Sequence, residues 1–136
     1  MNEHQQYMDR CLVLAQKAAA DGESAVGSIV VKDGRVIGEG YEMSRQLKDI
    51  TRHAETVAIL DAVQHGEDVA GAVLYSNVEP CILCSYAIRH YKLGAVVFAK
   101  HSGEPGGTKA PFDVLTTTAL GLWGQPPTVI HFVNNR

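Results

Sequence analysis

The sequence lacks the features that mark several large protein classes. Its three cysteines in 136 residues are too few, and odd in number, for the disulfide framework that staples a small secreted domain. No run approaches the roughly 20 apolar residues that a membrane helix requires. The N-terminal MNEHQQYMDR has neither the charged nor the apolar region of a secretory signal. A cytoplasmic protein without membrane association is therefore expected. Twelve Lys and Arg against fifteen Asp and Glu leave a formal charge of −3, no surplus of cations for gripping a phosphate backbone. Nucleic acid is disfavoured as a partner on that ground. There is no internal repeat and no low-complexity tract. What remains is globular composition, with 46% apolar and 20% charged residues, unlike a disordered or fibrous chain. The length suits one domain spanning residues 1–136.

Periodicity orders this domain. Tyr7, Met8, Cys11, Leu12, Leu14, Ala15, Ala18 and Ala19 recur at intervals of three and four, and Gly22 stands where a helix would stop, so the first segment reads as an amphipathic helix that buries Cys11. Two β-branched runs then flank Lys32-Asp33-Gly34-Arg35, an Asp-Gly hairpin signal. The stretch from His53 to His65 is helical by its Ala54, Val57, Ala58, Leu60 and Ala62 spacing, with Thr51 as the expected cap and Gly66 as the stop. AVLYSN and AVVFA read as buried strands on either side of a helix CILCSYAIRHYK, which has Pro80 near its start. A Gly- and Pro-rich loop over 101–111 follows, then a short amphipathic helix FDVLTTTALGLW and a final strand TVIHFV. Strands alternating with helices imply βαβ crossovers, hence an α/β fold: three α/β/α layers around a mixed sheet of about five strands.

Two short motifs fall at helix starts. Cys81 and Cys84, at i and i+3, have the C-x2-C spacing of a tetrahedral zinc site, and a helix N-terminus favours the thiolate form that ligates. His53 and Glu55 are about 200° apart around a helix and cannot share its flank. They converge only on a point off the helix end. Two thiolates and one neutral imidazole leave a fourth zinc position open for water, the pattern of catalytic zinc, and Glu55 is the carboxylate available to take a proton from that water. A structural zinc would instead need a fourth protein ligand, which His90 or His101 could supply. Glu79 reads as a structural hydrogen-bonding residue beside the site.

The order His53-Ala54-Glu55 … Pro80-Cys81-Ile82-Leu83-Cys84 resembles the zinc-dependent cytidine and nucleobase deaminases, whose H-x-E…P-C-x-x-C signature it completes. The wider similarity runs from about residue 26 to residue 115, through GEGY, HAE, EPCILC and HYKLGAVVFA. It looks closest to the branch of tRNA adenosine deaminases, bacterial-type guanine deaminases and fungal-type cytosine deaminases. The resemblance implies a cytidine deaminase-like fold, one Zn²⁺ held by His53, Cys81 and Cys84, hydrolytic release of ammonia with Glu55 as proton shuttle, substrate contact by the backbone N–H of Ala54, and pairing into homodimers or larger homo-oligomers.

Substrate choice rests on thinner signals. Relatives in that branch place an asparagine after their GEG-like residues, where this chain reads Tyr41-Glu42-Met43. Asparagine both donates and accepts, whereas an ionised glutamate only accepts, so Glu42 favours a ring that offers N–H groups. Alternatively, Glu42 points to solvent or pairs with Arg45. His90 and Trp123 are further candidates for the substrate pocket, each with a packing role as the alternative. Arg45, Lys48 and Arg52 could grip a phosphate or simply be solvated. The chain ends shortly after its last strand, whereas the tRNA enzymes carry a further basic helix. The expected activity is therefore deamination of a small-molecule substrate, a free nucleobase or a guanine-, isocytosine- or triazine-like heterocycle. A tRNA-specific adenosine deaminase, a cytosine-, cytidine- or nucleotide-type deaminase, and a non-catalytic zinc-stabilised module are the alternatives.

Overall fold

The computed structural model describes residues 3–103 and 105–133. Its elements run α1 (Glu3–Ala20), β1 (Gly27–Lys32), β2 (Arg35–Tyr41), α2 (Ala54–Gln64), β3 (Val73–Val78), α3 (Ile82–His90), β4 (Ala95–Lys100), a 3₁₀ turn (Gly121–Trp123) and β5 (Thr128–His131). The five strands form one sheet in the order β2-β1-β3-β4-β5. β1 is antiparallel to both β2 and β3, and β3, β4 and β5 are mutually parallel. The expected mixed α/β sheet is thus the one that forms. The hairpin turn uses Asp33 and Gly34 at φ 53° and 74°, the positive values that a two-residue turn between twisted strands requires.

Alternation along the strands assigns the layers. Val30, Leu74 and Val96 point to one face and meet Ala58, Ile59, Ala62 of α2 and Ile88 of α3. Their neighbours Ile29, Val31, Tyr75 and Val97 point to the other face and meet Met8, Cys11 and Leu14 of α1. Cys11 is fully buried there, and burial pushes its thiol up to about 12, which suits an apolar packing residue and not a nucleophile. Close approach of α2 to the sheet depends on β2. A Cβ on Gly40 would lie 2.6 Å from the Ala58 nitrogen and 2.7 Å from the Ala54 oxygen, so the missing side chain lets the start of α2 press against the strand that ends beside Glu42.

Two expectations fail. Residues 112–123 form turns and one 3₁₀ turn in place of an amphipathic helix. The spacing is helical, but Phe112 and Leu122 are exposed while only Leu115 is buried, and Arg89 takes the Val114, Thr117 and Gly124 carbonyls. The threonine run 116–118 has little helix propensity to compete with that. Thr51 is also not the cap of α2. That position is His53, and Thr51 instead accepts a hydrogen bond on its carbonyl from the Thr56 hydroxyl.

Candidate zinc centre and its cleft

Both metal motifs sit at helix N-caps whose side chains do not cap. His53 (φ −75°, ψ 153°) precedes α2 and Cys81 (φ −74°, ψ 178°) precedes α3, each extended and neither making a side-chain cap bond. Their carbonyls still start the helices, accepting from Val57 N and Ser85 N at 2.9 and 2.8 Å. The side chains are therefore free to turn toward each other. Cys81 Sγ lies 3.4 Å and Cys84 Sγ 3.6 Å from His53 Nδ1. Ordinary Zn–S and Zn–N bonds at a tetrahedral angle require S···N edges of about 3.6 Å. These three residues fit one zinc, and among the described residues they are the one His, Cys, Asp and Glu group close enough to hold a metal.

The electrostatics suit that donor set. The Cys84 side chain first and His53 next hold the Cys81 thiol down to about 4. The Cys81 hydrogen bond raises His53 to about 9, and Cys81 together with burial pushes Cys84 well above an ordinary thiol. A thiolate at Cys81 thus faces a protonated His53 and a Cys84 thiol, and a cation that took their place would release their protons.

Glu55, in the first turn of α2, is buried at 4% exposure. Burial raises its carboxyl to about 8, with Cys81 and Glu42 adding to the rise and His53 opposing it. A group that titrates near neutrality can both take and return a proton. His53, Glu55 and Cys81 line an open cleft of about 340 Å³ with Glu42, Ser44, Arg45 and Val78. Glu42 is buried at 8% exposure and is hydrogen-bonded by the Ser44 hydroxyl, while Arg45 donates to the Gly22 carbonyl at 3.1 Å.

Of the other expected residues, Glu79 lines the cleft and Ala54, His90, Trp123 and His101 do not. Ala54 is fully buried as the first residue of α2. His90 ends α3, opposite the Cys81 end. There the Trp123 indole N–H donates to its Nδ1 at 3.4 Å and Tyr86 lies edge-on to Trp123, and neither His90 nor Trp123 lines the cleft. His101 contacts Glu79 at 3.2 Å and is outside the metal group. Glu79 also accepts from Ser102 N, Thr108 N and the Thr108 hydroxyl. Burial alone would raise its carboxyl, but these bonds hold it below the ordinary value.

Two residues escaped sequence reasoning. Glu23, buried at 6% exposure, accepts from Arg45 N and Gln46 N at 3.0 and 2.7 Å, one on each carboxylate oxygen, and so fixes the turn beside Glu42. Nothing local signals it, since its partners are more than twenty residues away. Arg89 is buried at 1% exposure amid carbonyls, and its one sequence signal is a cation on the otherwise apolar run of α3.

The likeness to known proteins agrees with this geometry. Residues 1–100 match the family model of the cytidine and deoxycytidylate deaminase zinc-binding region. The tRNA-specific adenosine deaminase of Aquifex aeolicus (strain VF5) is 36% identical over 108 residues, 78% of this chain and 72% of that protein. The tRNA-specific adenosine deaminase 2 of Xenopus tropicalis is 37% identical over 120 residues, 82% and 71% of the two chains. A structure from studies of A-to-I editing by tRNA:A34 deaminases superimposes with a TM-score of 0.86 at 28% identity, covering 96% of this chain and 100% of the other. Guanine deaminase from Bacillus subtilis superimposes with a TM-score of 0.68 at 34% identity, covering 74% and 66%. The chain belongs to the cytidine and deoxycytidylate deaminase family of zinc enzymes, which hydrolytically deaminate nucleobases and nucleosides.

Proposed function

We propose that this chain deaminates an adenosine presented within tRNA. The observation that carries this reading is the 0.86 superposition on a tRNA:A34 deaminase over the whole of that chain, against 0.68 over part of guanine deaminase. The net charge of −3 had weighed against nucleic acid, but net charge averages over the surface. Arg45 lines the cleft and Lys48 is exposed on the same loop, so this loop offers cations to a nucleotide phosphate. Free amino-substituted bases such as guanine are the second reading, favoured by the acceptor-only Glu42 in the cleft.

Deamination adds water to the ring carbon bearing the exocyclic amine, so a C–O bond forms, a C–N bond breaks and ammonia leaves. His53, Cys81 and Cys84 would hold the zinc, which when bound would supply the Lewis acidity that makes water a nucleophile at neutral pH. Glu55 takes one proton from the water and gives it to the ring nitrogen. It then moves the second proton to the departing amine and ends as it began. Ammonia release and inosine formation from a tRNA anticodon stem-loop, run beside free guanine, isocytosine and cytosine, test the reading. Turnover of the stem-loop supports it, and turnover of free bases alone overturns it in favour of the second.

A further inference from the structure

Besides Glu55 and the multiply hydrogen-bonded Glu79, the cleft holds a third carboxylate for which proton transfer has no use. Glu42 follows β2, with its N–H on the Val26 carbonyl at 3.1 Å, and shares the cleft with His53, Glu55 and Cys81. No ion pair to it is found among the described residues, and its side-chain partner is the Ser44 hydroxyl. An ionised carboxylate has about four lone-pair positions, so one donor leaves most of them open to the cleft. The turn that delivers Ser44 is rigidly held. Glu23 clamps Arg45 N and Gln46 N, and Met43 N closes the loop on the Arg52 carbonyl at 2.9 Å. A buried acceptor with spare capacity costs free energy unless something donates to it.

We infer that Glu42 sets substrate choice, accepting a hydrogen bond from a donor on the substrate and rejecting edges that present a carbonyl or bare ring nitrogen there. The donor is an N–H of an amino-substituted ring or a hydroxyl of ribose. Both offer the same chemistry. A carboxylate cannot reverse its polarity as an amide side chain can by flipping, and the clamped turn keeps it from swinging away. The inference rests on the deaminase reading of the site but not on which substrate is turned over.

The test compares zinc-loaded wild type with Glu42→Gln, which is nearly isosteric, on adenosine, 2′-deoxyadenosine, guanine and 1-methylcytosine. Stem-loops carrying adenosine or 2′-deoxyadenosine at the target position complete the set. Ammonia release gives kcat and KM, and calorimetry gives binding without turnover. Donor-bearing ligands should lose about 10- to 150-fold in kcat/KM, the range for a hydrogen bond to a charged group, mostly through KM because Glu42 meets a substrate edge and not the reacting carbon. 1-Methylcytosine, which beside its departing amine offers only a carbonyl and a bare ring nitrogen, should lose nothing or gain. A loss on guanine alone assigns the donor to the ring, and a loss on adenosine assigns it to the sugar, to the 2′-hydroxyl where it vanishes for 2′-deoxyadenosine and to another sugar hydroxyl where it persists. Equal values for both proteins on every ligand, or a uniform loss that includes 1-methylcytosine, overturn the inference. Wild type that releases ammonia from nothing would sink the deaminase reading, while the calorimetric comparison would still decide Glu42.

Discussion

The sheet-and-helix region up to residue 100 and the stretch from 101 to 124 satisfy their backbone polar groups in opposite ways. In the first, strands and helices pair N–H with C=O repetitively. The second has one 3₁₀ turn and no strand among its described residues, and two buried charged side chains reach into it. Glu79, just before α3, gathers donors from Ser102 and Thr108, and Arg89, near the end of α3, donates to the carbonyls of Val114, Thr117 and Gly124 at 2.9, 2.8 and 3.2 Å. Glycines permit the contact: a Cβ on Gly106 would lie 2.5 Å from the Glu79 carboxylate, and one on Gly107 would lie 1.8 Å from Ser85 Oγ. The family match also ends at residue 100. One helix therefore supports chemistry at its start and an irregular segment along its length, and variants should separate the two jobs.

The largest effect is expected on the chemical side. Glu55→Ala removes the proton carrier while His53, Cys81 and Cys84 remain, so it should keep one zinc per chain and lose about 10² to 10⁴-fold in kcat. Cys81→Ala should lose the zinc as well, because it deletes one of three ligands. Metal analysis alongside kinetics reads both. Full zinc occupancy in Cys81→Ala would refute the ligand assignment, and near-normal turnover in Glu55→Ala would remove the shuttle.

On the irregular side, Arg89→Met keeps most of the volume and leaves three carbonyls without their donor. At about 1 to 3 kcal/mol for each buried unsatisfied group, partly relieved by water, a loss of about 3 kcal/mol is expected. Hydrogen exchange should show deprotection concentrated in residues 113–124, with zinc still bound. Uniform deprotection of the whole sheet would mean that the segment is no separate unit.

Glu55 offers a stability test within the regular region. Its folded carboxyl titrates at about 8, against an ordinary value of 4.5, so the fold favours the neutral form. Stability from this group is complete below about pH 4.5 and is lost progressively as pH rises toward 8. At pH 7 the loss is about 3 kcal/mol. Glu55→Gln carries no charge to desolvate. In zinc-free protein it should match wild type near pH 4.5 and exceed it by about 3 kcal/mol at pH 7, and bound zinc should shrink the gap because a cation favours the carboxylate. A pH-independent difference in chemical denaturation would show that burial does not govern this group.

Legibility in the sequence follows the same division. Strands β1, β3 and β4 could be read because runs such as IVV and AVVF are largely β-branched and buried on both faces, and the metal site because Cys81 and Cys84 have the spacing of a ligand pair and His53 falls at a second helix start. Residues 112–123 misled because a helical spacing says nothing about a distant Arg89 that claims the carbonyls a helix would use. His53 displaced Thr51 as the cap because position, not capping chemistry, is what the metal site needs from that residue. His90 and Trp123 fall outside the cleft because Cys81 opens α3 at the site while His90 closes it at the far end, where Trp123 packs on it.

Trp123 gives the smallest and most discriminating expectation. Its indole N–H meets His90 at 3.4 Å, its ring centroid is 5.6 Å from that of Tyr86, and it is only half-buried. Aromatic pairs of this kind contribute about 0.5 to 1.5 kcal/mol, and partial exposure puts this one at the low end. Trp123→Ala should therefore lower stability by under about 1 kcal/mol. With the cleft lined by other residues, KM should stay within about twofold of wild type. Whether the two regions work separately depends on that second number. If KM rose by about tenfold while stability barely moved, Trp123 would be touching substrate in the working enzyme. The 121–124 turn would then have to reach the cleft during turnover, and the irregular segment would belong to the active site and not merely rest on the helix that builds it.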